Sequence, residues 1–441
     1  MSLRERFDRH LVSLRVPAGP AVVAVSGGPD SLALLDLLAC SPAAREVVLH
    51  VAHADHGIHP ESAAVAERVR ASAARYGLPF HVARLALGAD ATETAARVAR
   101  YTWLDALARE LGARAIFTGH HADDQIETIL MRLLRGSGPA GLAGMAGRRG
   151  RILRPLLPFR RDELAGHLQE QGIVPWADPA NRDPRHLRSW LRTELLPALR
   201  RRLPEVERRI LLVGRQAAAD RAAWDTLLEG LPSLDLRLEP TGVSVAAPPL
   251  SGYDSVVLRA LLGALGRRAG CLVGPARAAR LARLLAGNRS GAVAELGAGC
   301  SAELSFGRLR LFRGAGHPSL WAPVPLGEPA GRASAGEWVL EWKRETAPER
   351  LARNPDTSWF ADGNYVARPW QPGDRVRPLG GTGRRLVVRC MQDARIARTR
   401  RAAWPVIAER DAIVWVPGVC RSADRIPVPG APALRIDAHL A

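Results

Sequence analysis

Ser26-Gly27-Gly28-Pro29-Asp30-Ser31 is the stretch whose reading decides the fold. Ala21-Val22-Val23-Ala24-Val25 precedes it, a short apolar run rich in β-branched residues that reads as a buried parallel strand. Leu32-Ala33-Leu34-Leu35-Asp36-Leu37-Leu38 follows, mostly good helix formers. Strand, glycine-rich turn and helix together aim backbone N–H groups and a helix N-terminus at a phosphate. The two glycines reach backbone angles closed to other residues and let an anion approach the main chain. No lysine follows in the G-x-x-x-x-G-K-[ST] arrangement, and Asp30 stands in the turn instead. A carboxylate beside a polyphosphate is repulsive unless a divalent cation lies between them. The turn therefore predicts a nucleotide–Mg²⁺ site with Asp30 on the metal or close to it.

Outward from this turn, strand and helix alternate. Strands are predicted at Ala21–Val25, Glu46–Val51, Phe80–Leu85 and Ala113–Thr118, and helices at Ser31–Ala39, Glu61–Tyr76 and Glu93–Leu111. This alternation predicts a doubly wound parallel α/β sheet, whose ligands bind beyond the carboxyl ends of the strands. The polar clusters fall at those ends. His53-Ala54-Asp55-His56-Gly57-Ile58-His59 follows the second strand and suits metal ligation or nucleotide contact. On the third helix Glu93, Arg97 and Arg100 share a face, either as an exposed salt-bridge ladder or as a cationic wall beside the nucleotide.

After the fourth strand comes Thr118-Gly119-His120-His121-Ala122-Asp123-Asp124-Gln125-Ile126-Glu127-Thr128. A helix starting near Ala122 puts Asp124, Glu127 and Thr128 on one face, with Asp123 as an N-terminal cap. Paired carboxylates there can hold a primary ammonium or Mg²⁺, or accept a proton from an attacking amine. Beyond Arg135 the helix breaks at Gly136-Ser137-Gly138-Pro139, and the glycine-rich Gly141–Met145 reads as a mobile loop or lid.

Composition bounds the remainder. At 441 residues the chain is expected to form two or three domains. Its hydrophobic share of 47% and charged share of 24% are those of a soluble globular protein. The formal net charge of +18 points to a polyanionic partner, nucleic acid first. Cys40, Cys271, Cys300, Cys390 and Cys420 form no C-x-x-C pair, which argues against zinc ribbons, iron–sulfur clusters and disulfide frameworks and fits a reducing cytoplasm. No signal-peptide core and no apolar run long enough for a membrane span is present.

The turn resembles the S-G-G-x-D-S signature of the PP-loop ATP pyrophosphatases. Several further blocks stand in the order and spacing of one family. They are His53 to Gly57, Glu93 to Tyr101, Gly119 to Thr128, Arg135 to Met145, and Arg154-Pro155-Leu156 through to Asp178-Pro179 and Asn181. Together they resemble the tRNA(Ile)-lysidine synthases. The resemblance implies a PP-loop catalytic domain over 1–210, of the adenine nucleotide alpha-hydrolase-like kind. A linker helix and small tRNA-contacting domain would follow over 211–330, then a basic C-terminal tRNA-binding domain over 331–441, both α+β. It implies ATP as substrate with Mg²⁺, bound by Ser26, Gly27, Gly28, Pro29, Asp30, Ser31 and His53, with Asp30 at the metal. It also implies free L-lysine and a tRNA(Ile) with a CAU anticodon as partners, in an enzyme that is often a homodimer. The cytidine at the first anticodon position would be adenylated and then attacked at carbon 2 by the lysine ε-amine. Asp124 would orient or deprotonate that amine and Glu127 would meet the charge of the lysine. Arg97 would meet its carboxylate, while His120 and His121 would line the nucleotide or cytosine pocket.

By its residues alone, Pro204–Leu231 reads as a connecting helix, 233–330 as a mixed α+β unit and 313–335 as a Gly/Pro-rich linker. From Ala361 to Ala441 fourteen arginines face seven acids among short Val-rich strands, which suits an RNA backbone. Arg375, Arg400 and Arg401 are the arginines expected to touch tRNA. Two other functions compete: a PP-loop tRNA 2-thiolation enzyme, and a catalytically silent tRNA-binding protein. Sulfur transfer needs cysteines at the site, and Cys40 is the only one in the first 210 residues.

Overall fold

The computed structural model describes the chain except residues 56–61, 86–92, 177–186, 240, 315–319, 351–353, 382 and 441, and the side chains of 62, 63 and 93. The segments His56–His59 and Asp178–Asn181 singled out above lie outside the described residues. Two compact units make up the chain, Met1–Ala222 and Ala223–Ala441.

The first unit opens with α1 (Leu3–Ser13), β1 (Gly19–Ala24), α2 (Pro29–Ala39), β2 (Val47–Asp55), α3 (Ser62–Arg75), β3 (Phe80–Arg84), α4 (Glu93–Glu110) and β4 (Ala115–Phe117). There follow α5 (Ala122–Leu134), α6 (Pro139–Leu142), β5 (Arg148–Arg149), β6 (Ile152–Leu153) and α7 (Arg161–Glu170). Then come α8 (Leu187–Trp190), a π-helical turn (Leu191–Leu195), α9 (Leu196–Arg202) and the long α10 (Val206–Glu229). The strands lie in the order β3-β2-β1-β4-β6-β5, parallel throughout except for β5. The doubly wound parallel sheet predicted from the sequence is the one that forms. Its order reverses between β1 and β4, so the carboxyl ends of these strands open the crevice where such sheets bind ligands.

Both faces of β1 are buried, which is why it reads as a continuous apolar run. Ala21 and Val23 join a core with Phe7, Leu11 and the α2 leucines, while Val22 packs with Leu104, Leu107 and Ile116 on the other face. A polar knot ties α2 from behind. Asp36, 2% exposed, accepts from Tyr76 Oη at 2.6 Å and Arg4 Nη2 at 3.2 Å, and is bonded to His167 Nε2 at 2.7 Å.

The second unit begins with a five-stranded antiparallel sheet: β7 (Arg237–Glu239), β8 (Gly242–Ala246), β9 (Ala292–Gly297), β10 (Cys300–Ser305) and β11 (Arg308–Arg313), ordered β7-β8-β11-β10-β9. Helices α11 (Ser255–Arg268) and α12 (Pro275–Ala286) complete its core with Leu261, Leu265 and Leu281. Two further sheets share a separate core around Trp338, Phe360, Tyr365 and Trp415. One is built on Pro405–Glu409 and Ala412–Val416, the other on Trp338–Thr346 and Pro432–Leu440. The stretch read as linker supplies strands to both, Val324–Pro325 and Ala330–Ala335. No helix among the described residues is long and apolar enough to cross a membrane.

Burial would raise the Asp36 pKa, but the hydrogen bonds from His167 and Tyr76 and the charges of His167 and Arg4 outweigh it and hold the carboxyl below its ordinary value. A carboxyl depressed by folding stabilises the native state above its unfolded pKa, and that stability is lost as the pH falls through the folded one. Asp36→Ala is expected to cost about 3 kcal/mol at neutral pH. Urea unfolding checks this: the deficit against wild type shrinks as the pH falls below about 4, and an unchanged midpoint at pH 7 would rule it out.

Candidate active site

The Ser26–Ser31 turn joins β1 to α2 and builds itself from its own hydroxyls. Ser26 N–H donates to Ser31 Oγ at 3.1 Å, and Ser31 Oγ donates to Gly28 O at 2.9 Å. Gly27 takes φ +87°, and a Cβ there would lie 2.9 Å from Val65 Cγ1, so only glycine fits. Gly28 caps α2, Pro29 opens it without needing an N–H partner, and Asp30 sits in its first turn. Trp176 N–H closes the turn from outside onto Gly27 O at 3.0 Å.

The loop after β4 presses against this turn. A Cβ on Gly119 would meet Asp30 C and O at 3.1 Å and Ser31 N at 3.2 Å, so the glycine lets the two loops touch. His53, 4% exposed at the end of β2, bonds Val25 O through Nδ1 at 2.8 Å and flanks the same crevice.

Helix α5 begins at Ala122, as the sequence predicts, but its cap is His121 rather than Asp123. His121 Nδ1 accepts the Asp123 N–H at 3.2 Å and Asp124 Oδ2 returns a bond from the His121 N–H at 3.1 Å. The ring is fully buried among three carboxylates: Asp30 Oδ2 and Asp123 Oδ2 at 3.4 Å and Asp124 Oδ2 at 3.6 Å. Burial alone would lower its pKa, but the bonds to Asp123 and Asp30 and the charge of Asp124 outweigh that and push it up to about 9. Asp30 Oδ1 is buried and has no hydrogen-bond partner among the described residues.

Asp123 serves the next helix: Oδ2 accepts the Arg161 N–H at 2.8 Å and Oδ1 the Arg160 guanidinium at 2.8 Å. Asp124 Oδ1 accepts Arg188 Nη2 at 2.7 Å. Burial would raise the Asp124 pKa, yet the charges of His121 and Arg188 hold it below the ordinary carboxylate value. Glu127, on the same face and 1% exposed, is held by Arg188 Nε at 2.6 Å and Arg192 Nε at 2.8 Å. The expected place for a substrate ammonium is therefore filled by the protein's own arginines. Arg188 and Arg192 carry no motif, and the i, i+4 spacing of the pair was their one signal.

His120 is neutral. Burial lowers its pKa to about 3 against the pull of Asp124, helped by the charges of Arg154, Arg97 and Arg100. Thr118 Oγ1 lies 3.0 Å from its Nδ1. Arg97 is exposed, 5.1 Å from the Tyr101 ring centre. The glycine-rich stretch expected to be a lid is stitched to α5. Gln125 bonds both Met145 N at 2.7 Å and Met145 O at 3.0 Å, and Arg132 Nη1 reaches Gly141 O at 2.8 Å and Gly144 O at 2.7 Å.

Of the arginines expected at tRNA, Arg375 is exposed. Arg400 instead pairs with Glu239 at 3.2 Å, and half-buried Arg401 donates to Ile396 O at 2.8 Å. Beside them, fully buried Glu303 on β10 caps the adjoining turn by accepting the Arg398 N–H at 2.7 Å and the Thr399 hydroxyl. Among the described residues no cluster of three or more His, Cys, Asp or Glu side chains forms a metal cage.

A PP-loop domain model matches residues 3–199, and a TilS substrate C-terminal domain model matches 366–437. The tRNA(Ile)-lysidine synthase of Symbiobacterium thermophilum is 33% identical, over 95% of this chain and 93% of its own length. This chain belongs to the tRNA(Ile)-lysidine synthase family. The Thermus thermophilus member is 34% identical over 94% of this chain and 71% of its own, and the Alkalilimnicola ehrlichii member 41% over 58% of each. The match to this family thus runs through both units.

Removing Glu127 takes both carboxylate bonds from half-buried Arg192 and one from Arg188, which keeps Asp124, so Glu127→Ala is expected to cost about 3 kcal/mol. Guanidinium-chloride unfolding measures it, and a loss below about 1 kcal/mol would mean the clamp is not structural.

Proposed function

We propose that this chain joins free L-lysine to carbon 2 of the cytidine at the first anticodon position of a CAU-anticodon tRNA(Ile), forming lysidine. ATP is consumed, and pyrophosphate and AMP are released. Family membership over nearly the whole chain carries this reading, and the turn at the β1–β4 switch point agrees with it.

ATP is assigned to Ser26–Ser31, its phosphates against the N–H groups at the start of α2. Asp30 suits Mg²⁺, because its buried Oδ1 lacks a partner and a bound cation supplies one. Bound there, Mg²⁺ would neutralise phosphate charge as pyrophosphate departs. The cytosine oxygen at carbon 2 attacks the α-phosphorus, the bond to pyrophosphate breaks, and an adenylated base results. The lysine ε-amine then attacks carbon 2 and AMP leaves, which makes a good leaving group of an oxygen that is otherwise a poor one.

Asp124 is assigned to orient the amine, since a carboxylate with a depressed pKa is a weak base. Glu127 takes a positioning part: it holds Arg188, which holds Asp124. Neutral His120, with His121 behind it, and Arg97 remain the candidates for the cytosine and for the lysine carboxylate. A sulfur-transfer reading is weaker, because Cys40 sits at the far end of α2 from Asp30, roughly 15 Å along the helix.

Radiolabelled lysine is expected to enter a CAU-anticodon tRNA(Ile) only with ATP and Mg²⁺ present, and chelating the metal stops it. Asp30→Ala should abolish tRNA-dependent ATP–pyrophosphate exchange, whereas Asp124→Ala should keep exchange and lose lysine transfer. Tight tRNA binding without label transfer would favour a silent binding protein instead.

A further inference from the structure

Arg154 is 7% exposed, and no carboxylate among the described residues pairs with it. We propose that Arg154 is a specificity residue of the active site and receives the α-carboxylate of the lysine substrate; the inference rests on the reading that free lysine is what the enzyme transfers.

Arg154 stands just past β6, at the carboxyl end of the strands, where such a sheet binds ligands. The Thr118 N–H donates to Leu153 O at 3.0 Å, which sets Arg154 beside Thr118, and the Thr118 hydroxyl lies 3.0 Å from His120 Nδ1. From α4, Tyr101 lies against the same guanidinium. The Arg97 and Arg100 guanidinium groups stand 5.1 Å and 5.5 Å from the centre of that ring. Arg154 Nη1 donates to Ala146 O at 2.8 Å, and Nε is sealed from solvent without an acceptor, so Nη2 is the donor left for a guest.

Burial pulls the Arg154 pKa below its ordinary value, and the charges of Arg97 and Arg149 add to that. A buried charge is costly unless something pairs with it, and here the chain supplies a carbonyl and no anion. Around α5 the arginines are paired instead: Arg160, Arg188 and Arg192 all meet acids. A buried cation left over beside them is a receptor for an oxyanion that arrives with a substrate.

ATP and lysine both bring one. The phosphates are assigned to the turn after β1, and β6 lies two strands away, about 10 Å at the usual strand spacing. Lysine carries opposite charges at its two ends. Asp124 and Arg154 both act on the His120 ring, the first pulling its pKa up and the second down. An acid and a base therefore stand around one ring, as a zwitterion requires. Arg97 is also near, but it is exposed, where an ion pair is worth little. The buried guanidinium makes the stronger bond.

The test follows transfer of radiolabelled lysine, and of radiolabelled 1,5-diaminopentane, to tRNA by full-length wild type, Arg154→Gln and Arg154→Lys. The diamine is lysine without its carboxylate. tRNA-dependent ATP–pyrophosphate exchange gives the KM for ATP alongside. Arg154→Gln is expected to raise the lysine KM about 10- to 100-fold, and to leave kcat/KM for the diamine and the KM for ATP as in wild type. Arg154→Lys keeps the charge and should recover part of the loss. A wild type that takes the diamine as readily as lysine overturns the proposal without any variant. So does an equal loss on both amines, which marks Arg154 as a brace for the segment at Ala146. An unchanged lysine KM overturns it too, and a KM for ATP that rises in its place assigns the guanidinium to phosphate. A wild type that transfers no lysine at all overturns the substrate reading instead.

Discussion

Three carboxylates converge on one buried imidazole, and the catalytic crevice depends on that meeting. Asp30 comes from the turn after β1, and Asp123 and Asp124 from the first turn of α5 after β4. Unscreened, three such charges within a few ångströms would repel strongly in a partly desolvated site. His121 answers them with a positive ring, and the amino termini of α2 and α5 add their dipoles. The loops meet only because Gly119 has no Cβ to hold the Asp30 backbone away. The anionic charge of the site is thus balanced from within, with one oxygen of Asp30 left over.

The cations around this centre divide by what they touch. Arg160, Arg188 and Arg192 are committed to Asp123, Asp124, Glu127 and Glu207, fixing where the carboxylates stand. Burial keeps the His120 ring neutral against the pull of Asp124, and the charges of Arg154, Arg97 and Arg100 help it. Two adjacent histidines, His120 and His121, so carry opposite protonation states at neutral pH. Burial lowers both pKa values, and at His121 the bonds to Asp123 and Asp30 outweigh it.

Much of the first unit was legible because its signals are local. A strand, a glycine turn and a helix occupy one short stretch, and the alternation of such units fixes a parallel sheet and the end at which ligands bind. The Asp124–Glu127 face followed from helical spacing alone. What sequence could not show were partners distant along the chain: Arg188 and Arg192 lie 61 to 65 residues from Glu127. The capping role also misled, since Asp123 is the stronger cap former by type, yet Arg160 and Arg161 claim it. The strand Ala330–Ala335 escaped notice for a packing reason. It is made of small residues because the Trp342 indole lies over Gly331, and small residues read as linker.

The same distinction governs how far net charge speaks for RNA. An excess of +18 counts every arginine as available, but many in the second unit are neutralised inside it. Arg308 pairs with Asp235, Arg310 and Arg400 with Glu239, Arg368 with Asp374, and Arg425 with Glu409. Those pairs build joints between strands and turns. They explain why Arg400, picked from a run of basic residues, braces the fold instead of facing solvent. Counterion release depends on the cations that remain free to meet phosphates, so charge draws RNA to the surface broadly while it discriminates little between sites.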